Sequence, residues 1–160
     1  SEFSVSYRCN NVVISPDQGK VIFSVTNTDK MTLENISHCI NNFLTKAYTT
    51  EIFAYGINGK FIDEDGSNFA EVVDNMLDAS RILENGYEIM ETKISRTLSK
   101  NGKIINIDSN LVNAGLEIHF NEHHPNPKET PVFSFEVLNG FIEDCSEIVK
   151  GLGYELEGDE

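Results

Sequence analysis

The chain has 160 residues, enough for one domain that buries roughly two thirds of its unfolded surface without covalent staples. Twelve basic against 26 acidic residues give a net charge of −14 and a pI near 4.6, which argues against nucleic acid or an anionic membrane as a direct partner, since both need Lys and Arg to neutralise phosphate. The three cysteines, Cys9, Cys39 and Cys145, are odd in number and widely spaced, so they suggest neither a disulfide framework nor a zinc ribbon, and reduced cytoplasmic thiols are expected.

No stretch reaches the ~20 apolar residues of a membrane span, and the first residues lack the basic and apolar regions of a secretory leader. Asn35-Ile36-Ser37 matches a glycosylation sequon, which has no meaning without export.

From the N-terminal end, Phe3, Val5 and Tyr7 alternate with polar residues, as do Val21, Phe23 and Val25. With Val12 to Ile14 they predict two or three strands joined through a turn at Pro16-Asp17-Gln18-Gly19. Thr32 then reads as a helix N-cap, with Met31 placed as a hydrophobic staple against Ile36. Leu33, Ile36, Ile40, Phe43 and Leu44 form the apolar stripe of that helix, and Lys46 suits its negative end. Residues 51–57 alternate again, and Asn58-Gly59 is a type I′ turn signal that would return residues 60–63 as a partner strand.

Residues 67–108 carry three concordant signals. Asn68 and Glu71 form a capping box. Phe69, Val72, Val73, Met76 and Leu83 mark one helical face, and Gly86 supplies a left-handed terminator. Residues 87–99 and 103–108 are strand-like, and Asn101-Gly102 between them predicts a second type I′ hairpin. A competing pattern is a heptad through Phe69, Val73, Met76, Leu83, Tyr87, Met90 and Ile94, which would give one long helix but leaves Lys100-Asn101-Gly102 unexplained.

Leu116, Ile118 and Phe120 alternate with Glu117, His119 and Asn121, and Phe133, Phe135 and Val137 alternate after a proline-bounded turn, predicting adjacent antiparallel strands with one wet face. Leu138, Phe141, Ile142, Cys145, Ile148, Val149 and Leu152 predict the last helix, ending near Gly151 or Gly153, before an acidic tail that frays. The expected architecture is one α+β domain over residues 1–160, a mainly antiparallel sheet of hairpins with about three helices on one face.

Candidate chemistry is sparse. His119 to His123 fits HxxEH, which on a helix brings two histidines to one zinc. Here it continues a strand, where the two rings stand roughly 13 Å apart, so exposed histidines at a turn are expected and no metal. Asp63-Glu64-Asp65-Gly66 resembles part of a calcium loop, but the first and twelfth ligand positions fall on Phe61 and Val72. His38 and Cys39 are helix neighbours and do not face each other; Cys39 reads as a core thiol beside Ile36 and Phe43. Gly56 to Lys60 lacks the spacing of a phosphate loop, and no nucleophile motif, paired catalytic carboxylates or cofactor fingerprint occurs.

By elimination the expectation is a non-enzymatic, acidic, cytoplasmic protein-binding domain. The first reading is an inhibitor or immunity-type protein that covers a basic toxin or nuclease-like partner, with Asp63, Glu64, Asp65, Glu117 and His119 as contact residues. The alternatives are a secretion-type chaperone holding an extended segment, or an enzyme without a recognisable motif. No motif carries a named family.

Overall fold

The computed structural model describes residues 5–46, 51–63, 91–112 and 115–154. The architecture is α+β, with two antiparallel sheets of three and four strands and, among the described residues, two helices. The expected helix with Asn68, Glu71 and Gly86 at its ends lies outside the described residues, as does the acidic tail. By internal contacts the chain falls into two compact units, one formed by Ser1–Tyr55 with Pro125–Glu160, the other by Gly56–His124.

The first unit opens with a meander, β1 (Tyr7–Cys9), β2 (Val12–Asp17) and β3 (Lys20–Ser24). Asn10, at φ 54°, turns β1 into β2, and the tight turn at Gln18-Gly19 needs the positive φ of Gly19 (74°). Pro16 is not in the turn but within β2, opposite Val21. Proline is tolerated there because β1 pairs only as far as Ile14, so the N–H that Pro16 lacks is not needed on that side.

Helix α1 (Lys30–Lys46) begins earlier than the Thr32 cap predicts. Asp29 is the cap: its Oδ1 accepts from the Thr32 N–H at 2.8 Å, and its carbonyl accepts from Leu33 at 3.0 Å. A carboxylate answers both the unpaired N–H groups and the positive end of the helix, which a hydroxyl does less well. Thr32 is instead buried, with Asn11 donating to its hydroxyl, and Met31 is exposed, so the staple does not form. Leu33 and Ile36 enter the core with Val12, and Phe43 meets Phe23 edge to face at 5.6 Å.

The alternation at Phe133, Phe135 and Val137 is overturned. Ser134 caps α2 (Phe135–Gly151), its hydroxyl accepting from the Val137 N–H, so this short run opens a helix rather than a strand. Phe133 and Leu138 occupy the two positions of a hydrophobic staple and are both buried. Phe141 and Val149 continue the buried stripe, and Leu152 and Gly153 close the helix as the sequence predicts. Asn41 of α1 holds the approach to α2 by accepting from the Phe133 N–H (3.0 Å) and donating to its carbonyl (2.6 Å), the two bonds a neighbouring strand would make.

The second unit is built on four strands in the order β4-β7-β6-β5: β4 (Ala54–Asp63), β5 (Glu91–Lys100), β6 (Lys103–Val112) and β7 (Gly115–Pro125). The β5–β6 hairpin turns at Asn101 (φ 52°) and Gly102 (φ 82°), as predicted, and a strand at residues 91–100 removes the part of the long-helix pattern that reaches Ile94. The hairpin expected at Asn58-Gly59 does not form. Both residues lie inside the unbroken ten-residue β4, whose neighbour is β7. The strands flanking β7 are therefore β4 and β6, not a segment around Phe135. One face of this sheet is buried through Ile105, Ile107, Leu116, Ile118 and Phe120, each at most 5% exposed.

Candidate functional site

The pleat sends every second residue to the opposite face, so the strands that bury Leu116, Ile118 and Phe120 place a polar array on the other side. Strand register arranges it in rows. Thr97, Asn106 and Asn121 lie side by side, then Ser95, Asp108 and His119, then Lys93, Asn110 and Glu117. β4 completes the array: Asn121 donates to Asn58 Oδ1 at 2.8 Å, and Lys60 Nζ reaches Glu117 Oε1 at 2.7 Å.

Within the rows the side chains hold one another. Thr97 donates to Asn106 at 2.9 Å and Ser95 donates to Asp108 at 2.5 Å, while His119 Nε2 stands 3.2 Å from Glu117 Oε2. Lys60 chiefly, and His119 after it, hold the Glu117 carboxyl below the usual carboxylate range. A half-open depression of about 330 Å³ lies over this array, lined among others by Asn58, Lys93, Asn106, Asp108, Asn110 and His119. The Oδ1 atom of Asn110 is buried and has no hydrogen-bond partner.

Serine, aspartate and histidine share the middle row, but their connections are not those of a nucleophilic triad. Such a triad needs the serine hydroxyl on the histidine and the histidine on the carboxylate; here Ser95 gives its proton to Asp108 and His119 turns to Glu117. The arrangement suits recognition through fixed donors and acceptors better than proton transfer to a nucleophile.

The structure brings Glu117 and His119 together as predicted from alternation. It does not bring Asp63 to them: Asp63 ends β4 on the face opposite to Lys60 and is half-buried, and Glu64 and Asp65 lie outside the described residues. The histidines are not at a turn, because β7 continues to Pro125. His119 and His123 are exposed on the polar face. His124 is on the other, with Nε2 2.7 Å from Oε1 of the buried Glu122, whose Oε2 lies 3.9 Å from Lys103. No family model, curated protein or solved structure matches the chain.

Sequence reasoning missed Glu122, although extending the Leu116, Ile118, Phe120 parity by one step places it on the buried face. It also missed Lys60, Asp108 and the asparagines, which register alone assembles. Cys39 is half-buried rather than fully packed, and its thiol is pushed up by burial and by a hydrogen bond with Cys9. Among the described residues no group of three or more His, Cys, Asp or Glu could hold a metal ion, and no helix is long and apolar enough to cross a membrane.

Proposed function

We propose that this is a non-enzymatic protein-binding domain of the inhibitor or immunity type, acting in the cytoplasm on a cationic toxin or nuclease-like protein through the polar face of the four-stranded sheet. The observation that carries this reading is the cross-linked array itself. Lys60, Glu117 and His119, and Ser95 with Asp108, are held by their neighbours, so little side-chain freedom is left to lose when a partner docks. The mostly polar lining of the depression, half-open to solvent, lacks the apolar walls typical of a small-molecule pocket and suits a protein surface better.

The acidic surplus supports the same partner chemistry. Residues 64–90 contain seven carboxylates against one arginine, and residues 155–160 contain four with no basic residue. Charge of that density speeds encounter with a basic protein, whereas the array, where Lys60 and Lys93 offset Glu117 and Asp108, sets fit.

The test uses a partner captured by crosslinking in cells, with association and dissociation measured at two ionic strengths. Glu117→Lys with His119→Ala is expected to speed dissociation, and Asp63, Glu64 and Asp65 to Lys to slow association and flatten its salt dependence. Wild-type rates in both variants would refute this reading. The second reading, a chaperone holding an extended segment, is favoured by one feature: among the described strands β5 lies at the edge of the sheet, with ten residues, most of them exposed. It requires a partner bound as a peptide with little salt sensitivity.

A further inference from the structure

Two thiols far apart in sequence meet in the first unit. Thr32, Ile36, Cys39 and Phe43 fall on one stripe of α1 by helical spacing. That stripe is seated on the three-stranded sheet at both ends, by Asn11 on Thr32 and by Phe23 on Phe43. Cys39 lies between those two anchors. Cys9 ends β1 opposite Val12, whose side chain is fully buried under α1, so strand register puts the Cys9 side chain on the sheet face that α1 covers, and Cys9 is among the causes that push the Cys39 thiol up. Cys9 is exposed while Cys39 is half-buried, so Cys9 is the more accessible of the pair to a reagent arriving from solution.

We infer that Cys9 and Cys39 are a disulfide-forming pair, in which Cys9 is the thiol that attacks the oxidant and Cys39 the thiol that resolves, with a low-molecular-weight disulfide such as oxidised glutathione as the oxidant. The Cys9 thiolate attacks one sulfur of glutathione disulfide; a Cys9–glutathione bond forms, the glutathione S–S bond breaks, and glutathione leaves as a thiolate that takes up a proton. Cys39 then loses its proton to solvent and attacks Cys9 Sγ, expelling the second glutathione. Two protein thiols are oxidised and one glutathione disulfide is reduced to two thiols. The order follows from exposure, and the burial that pushes the Cys39 thiol up keeps it the slower attacker on free reagent.

The bond would tie the outer strand of the sheet to α1 and close the chain between them, which constrains the unfolded ensemble. This is separate from the polar face of the second unit and does not depend on what binds there.

The experiment incubates the full chain carrying Cys145→Ser with glutathione disulfide, quenches with alkylating reagent under denaturing conditions and reads intact and peptide masses. A loss of two hydrogens with a linked Cys9–Cys39 peptide is expected, on the order of tenfold faster in buffer than in denaturing urea because the fold holds the thiols together. Oxidised protein should unfold at higher urea than reduced protein. Cys39→Ser in the same background should stop at the glutathione adduct on Cys9, and Cys9→Ser should acquire little adduct. An adduct on Cys9 that persists while Cys39 is present, linkage only between separate chains, or equal rates in buffer and urea would overturn the pairing.

Discussion

Asn-Gly-Lys occurs at residues 58–60 and again at residues 101–103, and the chain does opposite things at the two places. At Asn101-Gly102 both residues take positive φ and the strands on either side pair with each other, Lys100 opposite Lys103. At Asn58-Gly59 neither takes positive φ, and the strand runs straight on. The difference is the partner. A hairpin at Asn58-Gly59 would pair only a few residues with each other, whereas the extended strand lies along the eleven-residue β7 and gives Asn58 a bond to Asn121. A turn dipeptide is a local preference of about a kilocalorie, and a full strand of ladder bonds and buried side chains outweighs it.

The largest effect is expected where β7 is attacked. Phe120, 2% exposed, should lose about 3–5 kcal/mol on replacement by alanine, read from urea unfolding. If β7 is what keeps residues 58–59 straight, amide exchange should rise more over residues 56–61 than at the turn between β5 and β6. Equal loosening at both would mean that the two Asn-Gly sites are not held by different partners.

Next in size is a matched pair. Asn101→Val forces a β-branched residue into the left-handed region and should cost about 1–2 kcal/mol. Asn58→Val, exposed and already extended, should stay within about 1 kcal/mol, the loss of one side-chain hydrogen bond being offset by strand preference. Thermal unfolding of the two variants decides it, and an equal cost would contradict the extended backbone at residue 58.

The smallest effect is a titration. Because Lys60 and His119 hold the Glu117 carboxyl low, its contribution to stability is present above the unfolded carboxylate value and is lost as pH falls through the folded one. Lys60→Met should raise the Glu117 midpoint, followed by NMR of its side-chain carboxyl, with almost no change in Tm because the group is exposed. A midpoint unmoved by the change would remove Lys60 as the cause.

The comparison also says what could be read from sequence. The turn at Asn101-Gly102, the parity of Leu116, Ile118 and Phe120, and the stripe of the last helix are local patterns, and each stands. So do Glu117 and His119 on one exposed face. What failed needed information from elsewhere in the chain. Thr32 looks like a cap until Asp29 is allowed to compete for the same N–H groups, and Phe133 to Val137 looks like a strand because three alternating positions are too few to tell one period from another. Lys60, Asp108 and Asn58 enter the array through register, and Cys9 meets Cys39 only once the sheet and α1 have packed.

The first unit is made of two stretches of chain, with the second unit inserted between Tyr55 and Pro125. Asn126 donates to the Phe53 carbonyl at 2.7 Å, so the chain leaves that unit and re-enters it at neighbouring points. During synthesis this sets a waiting time. Val12, Leu33 and Ile36 emerge early, yet Phe133, Leu138 and Phe141 that complete their core emerge roughly a hundred residues later, some 5–20 seconds at ordinary elongation rates. Over that interval the β5–β6 hairpin, whose contacts are all near in sequence, can form first, while the N-terminal stretch remains an unfinished surface exposed to chaperones and proteases.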